Sequence, residues 1–178
     1  MAKLNDLNKK RSNGWFITIA ITILLVIIIF SVFESVIVVG DSMLPNYEGG
    51  TIENTKAGDK VIISKIYGLD YGDVVVFYSN KLQSNLIKRV VGLEGDTIEI
   101  KAGKLFRNGE LIEENYIKEP MRVNNNYRWT LGKGEVLVLG DNRNNSEDSR
   151  HFGAINKKDI RGEVIIRISA KGGKLMFI

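Results

Sequence analysis

An uninterrupted apolar segment, residues 15–33, limits what the first part of this chain can fold into. It contains 19 residues without a formal charge, mostly isoleucine, valine, leucine and phenylalanine. As an α-helix it would be about 28 Å long, close to the ~30 Å hydrocarbon thickness of a bilayer. It exceeds the apolar region of a signal peptide, about 7–15 residues, and no small-residue cleavage site follows it. The segment therefore predicts an uncleaved transmembrane helix.

The charges that flank this segment predict its orientation. Residues 1–14 contain four basic side chains and one acidic side chain, whereas Glu34 follows the segment. Basic residues are retained on the cytoplasmic side of a membrane. We therefore expect a cytoplasmic tail over 1–14, a single pass through the cell membrane over 15–33, and an extracytoplasmic domain over 34–178.

The composition excludes several classes of function. The chain has no cysteine, so disulfides, thiol nucleophiles and thiolate metal sites are ruled out, and His151 is the only histidine. We expect neither a metal nor a cofactor. Most of the net charge of +4 lies in residues 1–14, which leaves the rest of the chain nearly neutral. Such a domain lacks the clustered positive charge that nucleic acids require.

Beyond residue 34 the sequence predicts a mostly β, antiparallel domain. Short β-branched runs alternate with Gly, Asn and Asp turns, and Asn108-Gly109 is a strong hairpin signal. We predict a polar loop over 116–131, and for 172–178 either a last strand or a segment along the bilayer surface. The predicted strands are 36–39, 60–64, 74–78, 86–91, 97–101, 104–107, 110–112, 135–139 and 163–168.

Two residues could together form a catalytic pair. Ser42 lies in a short stretch between Gly40 and Pro45 where the backbone can turn and expose a hydroxyl, but a serine needs a base to become a nucleophile. Lys88 lies in an apolar strand, on the same face as its apolar second neighbours, and Arg89 is expected to point to solvent. Burial would lower the pKa of the Lys88 amine and make it a possible base.

His151 is a rival base. A Ser-His-Asp triad of Ser42, His151 and either Asp141 or Asp148 is compatible with the composition, because such triads occur in different chain orders on unrelated folds. The residues alone leave both pairings open, and each candidate also has an ordinary structural interpretation.

Four segments resemble the motifs of the type I signal peptidases, specifically the short bacterial form of Gram-positive type with a single membrane anchor. They follow the family's order along most of the chain. The segments are 40–45, GDSMLP; 58–61 with 71–77, GDKV with YGDVVVF; 88–92, KRVVG; and 140–153, GDNRNNSEDSRHFG.

The resemblance implies a serine endopeptidase with a β-rich catalytic domain. Ser42 would be the nucleophile and Lys88 the general base of a Ser-Lys dyad, and Ser146 matches the hydroxyl that hydrogen-bonds the lysine amine. Gly40 occupies a position where some relatives carry a serine hydroxyl, so the Ser42 backbone N–H is the expected oxyanion donor. Two pairs match supporting positions: Asp148 with Arg150, and Asp141 with Arg143.

The implied substrate is a membrane-held preprotein cleaved after a small-x-small motif such as Ala-x-Ala. An apolar edge at 36–39, or the turn at 43–44, could pair with an extended signal peptide by strand addition. The expected partners are signal peptides and membrane lipid, and we expect a monomer. Two residues depart from the family pattern: Asn46 replaces a small residue and Glu94 replaces a proline. These departures concern loop geometry and substrate preference.

Two other functions share parts of this sequence pattern. A membrane-tethered assembly factor would bind secreted subunits without cutting them, but the chain retains both Ser42 and Lys88. A self-cleaving Ser-Lys repressor would share only the dyad, and the chain shows a membrane segment and no helix-turn-helix pattern. The sequence therefore favours the peptidase.

Overall fold

A computed structural model describes residues 2–51, 53–54, 57–122 and 125–178. The chain divides into two units, Met1–Glu34 and Ser35–Ile178. The first unit is dominated by one helix, α1 (Ala2–Val32). Its stretch Gly14–Val32 is long and apolar enough to cross a membrane, and its side chains are not buried by protein. The apolar helix predicted over 15–33 is confirmed, although it ends one residue earlier because Phe33 begins a strand.

The second unit is built almost entirely of β-strands, and every strand pair with a printed register is antiparallel. The predicted fold class is therefore confirmed. The strands are β1 (Phe33–Ile37), β2 (Lys60–Ser64), β3 (Val74–Ser79), β4 (Ser84–Gly92), β5 (Thr97–Lys101), β6 (Lys104–Arg107), β7 (Glu110–Leu111), β8 (Tyr127–Thr130), β9 (Glu135–Leu139), β10 (Ile155–Asn156), β11 (Ile160–Ile168) and β12 (Leu175–Phe177).

The strands form two sheets. The larger has the order β1-β2-β11-β3-β4-β9-β10, with β12 also paired to β11, and the smaller has the order β7-β6-β5-β8. Buried valine, isoleucine and leucine side chains from the strands form three apolar clusters. The central strands β3, β4 and β9 therefore provide a rigid frame for the loops that follow them.

Two sequence predictions need correction or completion in this unit. The segment 116–131 is not only a loop, because Tyr127–Thr130 forms β8 and pairs with β5. Tyr127 and Trp129 point to one face, where their rings stack and pack against the core of the smaller sheet. The end of the chain forms β12, as one of the two alternatives predicted. A short helix, α2 (Ser149–Phe152), was not predicted.

Candidate active site

Ser42 and Lys88 are brought into direct contact, although 46 positions separate them in the chain. The Lys88 amine donates a hydrogen bond of 2.7 Å to the Ser42 hydroxyl oxygen and a second bond of 2.8 Å to the Ile87 carbonyl oxygen. Lys88 lies within β4 and is only 2% exposed. The predicted inward direction of Lys88 is thus confirmed.

Burial changes the acid-base properties of Lys88. Loss of hydration lowers the pKa of its amine from 10.5 to about 8, and the nearby carboxylates of Asp148, Asp141 and Glu147 partly oppose this shift. A lysine with this pKa is neutral in a useful fraction of molecules near neutral pH. Its lone pair can then accept the proton of the hydroxyl it contacts.

The turn that carries Ser42 is held by the polar segment after β9. The Asn142 backbone N–H donates to the Ser42 carbonyl oxygen at 3.0 Å, and the Asn142 side-chain amide donates to the Asp41 carbonyl oxygen at 3.0 Å. Gly140 permits this approach, since a Cβ there would come within 2.2 Å of the Ser146 hydroxyl and 2.6 Å of the Ser42 carbonyl oxygen. The nucleophile is therefore positioned by backbone as well as side-chain contacts.

Asn46 adds a third contact between the turn that carries Ser42 and the polar segment after β9. Its side-chain nitrogen donates to a carboxylate oxygen of Asp141 at 2.9 Å and to the Tyr116 carbonyl oxygen at 2.5 Å. An amide nitrogen carries two hydrogens, so it can satisfy both acceptors. The departure from the family pattern at this position thus has a structural role in this chain.

A network of buried charges underlies the turn. Asp141 accepts two hydrogen bonds from Arg89, at 2.8 and 2.6 Å, so the expectation that Arg89 points to solvent is wrong. Arg143 instead donates to both carboxylate oxygens of Glu114, at 2.7 and 2.5 Å. Asp141 and Arg143 are both buried but form ion pairs with other residues rather than with each other.

The other supporting pair lies beside α2. Arg150 donates two hydrogen bonds of 2.8 Å to the Asp148 carboxylate, which also accepts from the Gly140 N–H and caps α2 through the Arg150 N–H. Burial alone would raise the pKa of Asp148, but Arg150 and the hydrogen bonds hold it below its usual value. Asp148 therefore stays ionised, with its charge fixed near Lys88.

Ser146 and His151 make other contacts than those considered from the sequence. The Ser146 hydroxyl oxygen is buried and has no hydrogen-bond partner of good geometry within the described part of the chain, so its expected bond to the Lys88 amine is absent here. The hydroxyl lies close enough to the Asp148 carboxylate to contribute to the lowered pKa of that group. His151 is half-exposed, and its Nδ1 lies 3.7 Å from a Glu147 carboxylate oxygen. The contact to Ser42 comes from Lys88, which favours the dyad over the triad.

A cavity of about 260 Å³ lies against the dyad. Both Ser42 and Lys88 line it, together with side chains from 36–39 and from β4 that are mostly apolar. β4 pairs with β9 only from Arg89 to Gly92. On that edge, β9 therefore does not cover the part of β4 that precedes Arg89. An extended peptide could therefore lie along this edge with its side chains in a small apolar cavity.

Comparison with known proteins identifies the family. The model of the family described as "Signal peptidase, peptidase S26" matches residues 12–169. The chain belongs to this family. It is 36% identical over 171 residues to signal peptidase I P of Bacillus subtilis subsp. natto, covering 86% of this chain and 88% of that protein. It is 32% identical over 177 residues to signal peptidase IB of Staphylococcus aureus, covering 89% and 90%.

A solved structure agrees with this assignment. The crystal structure of a signal peptidase I from Enterococcus faecalis matches with a TM-score of 0.50 and 28% identity, over 55% of this chain and 97% of that one. The predicted resemblance and the predicted enzyme class, a serine endopeptidase of the signal peptidase I type, are confirmed.

Sequence reasoning missed two residues that support this peptidase site. Arg89 binds Asp141 and Glu114 binds Arg143, and both of these partners had been singled out from the sequence. Arg89 follows Lys88 on the opposite strand face, so alternation alone predicts exposure. The sequence pairs Asp141 with Arg143, and no short-range pattern indicates that Arg89 is the cation that binds it.

Proposed function

We propose that this protein is a membrane-anchored signal peptidase that uses a Ser42-Lys88 dyad. The observation that carries the proposal is the 2.7 Å hydrogen bond between a buried lysine amine and the serine hydroxyl. The contact requires the Lys88 side chain to be withdrawn from water, at 2% exposure, which costs free energy. An assembly factor without catalytic activity would gain nothing in return for that cost.

The geometry supports the following reaction. The neutral Lys88 amine takes the proton of the Ser42 hydroxyl as its oxygen attacks the scissile carbonyl carbon, and the carbonyl oxygen becomes an oxyanion. The Ser42 backbone N–H donates to no acceptor within the described residues, so it is available to that oxyanion. The Lys88 ammonium then gives its proton to the leaving amine, and an acyl ester remains on Ser42.

The second half of the reaction uses the same two residues. The Lys88 amine, again neutral, takes a proton from a water molecule that attacks the ester carbonyl. Collapse of that intermediate returns a proton to the Ser42 oxygen and releases the signal peptide with a new carboxylate. Asp148 and Arg150, with Asp141 and Arg143, act by holding the loops in place, and Ser146 packs at the closest approach of these loops.

The size and lining of the dyad cavity support cleavage after small residues. About 260 Å³ must accommodate parts of several side chains along an extended peptide, which favours alanine in a small-x-small motif. Large side chains would collide with the walls contributed by Val36, Val38 and Ile87. We therefore place the cut after the second alanine of an Ala-x-Ala sequence.

The apolar helix supports membrane anchoring. The stretch Gly14–Val32 has the length and composition of a span. In our proposal, residues 1–14 form a cytoplasmic tail, 15–33 a single pass through the cell membrane, and 34–178 an extracytoplasmic domain, as the flanking charges indicate. Preprotein signal peptides and membrane lipid are the proposed partners of a monomer.

Cleavage by matched variants tests this function. Wild type, Ser42→Ala, Lys88→Ala and the exposed control Lys118→Ala would be reconstituted in lipid with a preprotein that has an Ala-x-Ala site. We expect cleavage after the second alanine by wild type and Lys118→Ala, located by mass spectrometry, and none by the dyad variants. Equal cleavage by Lys88→Ala would refute the dyad, and wild type that binds preproteins without cutting them would refute peptidase function.

A further inference from the structure

A second, larger cavity meets the dyad cavity at Ser42. It has a volume of about 690 Å³ and is lined by Gly40, Asp41 and Ser42 on one side and by side chains of the polar segment 143–151 on the other. We call it the polar cleft. Lys88 lines the dyad cavity but not the polar cleft. The nucleophile thus lies where two compartments of different chemistry meet.

The two compartments fit the two parts of a preprotein. A peptide that presents its scissile carbonyl to Ser42 extends to both sides of that hydroxyl. The lining side chains of the dyad cavity are mostly aliphatic and suit the small residues before the cut, which leaves the polar cleft for the residues after it. We propose, building on the proposed function, that the polar cleft binds the first residues of the mature protein and that Asp41 selects basic over acidic residues there.

The charge of the cleft supports this selectivity. Its three arginines are already neutralised, because Arg122 pairs with Glu119, Arg143 with Glu114 and Arg150 with Asp148. The exposed carboxylate of Asp41 forms no hydrogen bond or ion pair with any residue that the structure describes.

Glu147 adds a second negative charge to the same cleft. Its carboxylate lies 3.7 Å from the ring Nδ1 of His151. With the arginines paired, the cleft therefore presents an excess of negative charge to the peptide. Asp41 immediately precedes the nucleophile in sequence, and both residues line the polar cleft.

The chemistry of the product agrees with this charge. Cleavage releases the mature protein with a new α-amino group, which becomes an ammonium in water. A carboxylate beside the nucleophile attracts that ammonium and any lysine or arginine side chain that follows it, and it repels aspartate or glutamate. Because Asp41 is exposed, one such interaction changes a rate about 2- to 5-fold and weakens as salt rises.

Charge-matched preproteins test the selectivity. Three substrates would differ only at the second and third residues after the cut, with two lysines, two glutamines or two glutamates. We expect wild type to show a kcat/KM about 5-fold or more higher for the lysine substrate than for the glutamate substrate at low salt. The ratio should fall for Asp41→Asn, where Glu147 alone remains, and fall further for Asp41→Lys.

A matched control separates local from general charge effects. Glu113→Gln removes an exposed carboxylate that does not line the cleft, and its lysine-to-glutamate ratio should equal that of wild type. A substitution at Asp41 that changes the pKa of Lys88 changes the rates for both substrates by the same factor, so the lysine-to-glutamate ratio is not affected by it. Equal ratios for wild type, Asp41→Asn and Asp41→Lys would overturn the proposal while leaving the peptidase function intact. Failure of wild type to cut any of the three would refute the proposed function itself.

Filling the cleft tests whether it is occupied at all. Asn145 is exposed and lines the cleft, so Asn145→Trp should obstruct it. The variant should lower kcat/KM at least 5-fold for a substrate with six residues after the cut, and should leave unchanged a substrate whose leaving group is a single aromatic amine. An equal loss on both substrates, or none on either, would show that the mature segment lies elsewhere.

Discussion

Replacing Lys88 by methionine should abolish catalysis and stabilise the protein near neutral pH. The folded state lowers the pKa of Lys88 from 10.5 to about 8. A lowered lysine pKa means that the folded chain binds the proton less well than the unfolded chain does. The protein therefore loses stability as pH falls from 10.5 to 8, and the full cost is present below pH 8.

The size of the effect follows from the shift. A difference of about 2.5 pKa units corresponds to roughly 3 kcal/mol, which methionine does not incur because it has no charge. The variant loses the hydrogen bonds that Lys88 gives to Ser42 and Ile87, worth about 1 kcal/mol each. We expect Lys88→Met to be about 1 to 2 kcal/mol more stable than wild type at pH 7.

The pH dependence of this difference isolates the charge. The loss of the two hydrogen bonds changes the unfolding free energy by the same amount at each pH. The stability gained by removing the ammonium, in contrast, shrinks by roughly 2 kcal/mol between pH 7 and pH 10. The assay is urea unfolding of the full chain in detergent at both pH values, followed by Trp129 fluorescence with Trp15 replaced by phenylalanine in both proteins. A difference in unfolding free energy that is the same at pH 7 and pH 10 would refute a buried, low-pKa lysine.

Two further predictions concern the loop contacts. Asn46→Leu breaks the hydrogen bonds to Asp141 and Tyr116 and should lower kcat about 10-fold or more with little change in KM. Asn46→Asp should lower kcat further, since it places a second carboxylate against Asp141. Threonine or glutamine at position 46 should restore activity, and failure of both would argue against a hydrogen-bonding role. Gly140→Ala should reduce cleavage more than 10-fold, because its Cβ would lie 2.6 Å from the Ser42 carbonyl oxygen. The control Gly68→Ala has open space around its Cβ and should cleave like wild type, and equal rates for both alanine variants would contradict the proposed tight approach.

The strands were predictable because they are short β-branched runs separated by turn residues. In β4 the alternation of side-chain direction also predicted the inward direction of Lys88, which shares a face with Leu86 and Val90. The same rule failed for Arg89, which lies on the other face and is covered there by Asp141 from the loop after β9. Sequence alternation describes a strand's own two faces and carries no information about which loop will cover them.

The contact between Ser42 and Lys88 could be anticipated only through resemblance to a family. Nothing in the spacing of 46 positions indicates that a turn after β1 meets the middle of β4. The ion-pair partners were harder still, because Asp141 and Arg143 lie two positions apart yet bind Arg89 and Glu114 from distant segments. Burial of both charges with outside partners depends on tertiary packing, which short-range sequence patterns do not encode.

The measurement that tests the central claim most directly is the pH dependence of kcat/KM for preprotein cleavage. With Lys88 as the base, activity should rise through a pKa of about 8 as the amine loses its proton, and at pH 7 it should be about one tenth of the plateau. His151→Gln should show the same rise. A rise that disappears in His151→Gln would make His151 the base and contradict the dyad.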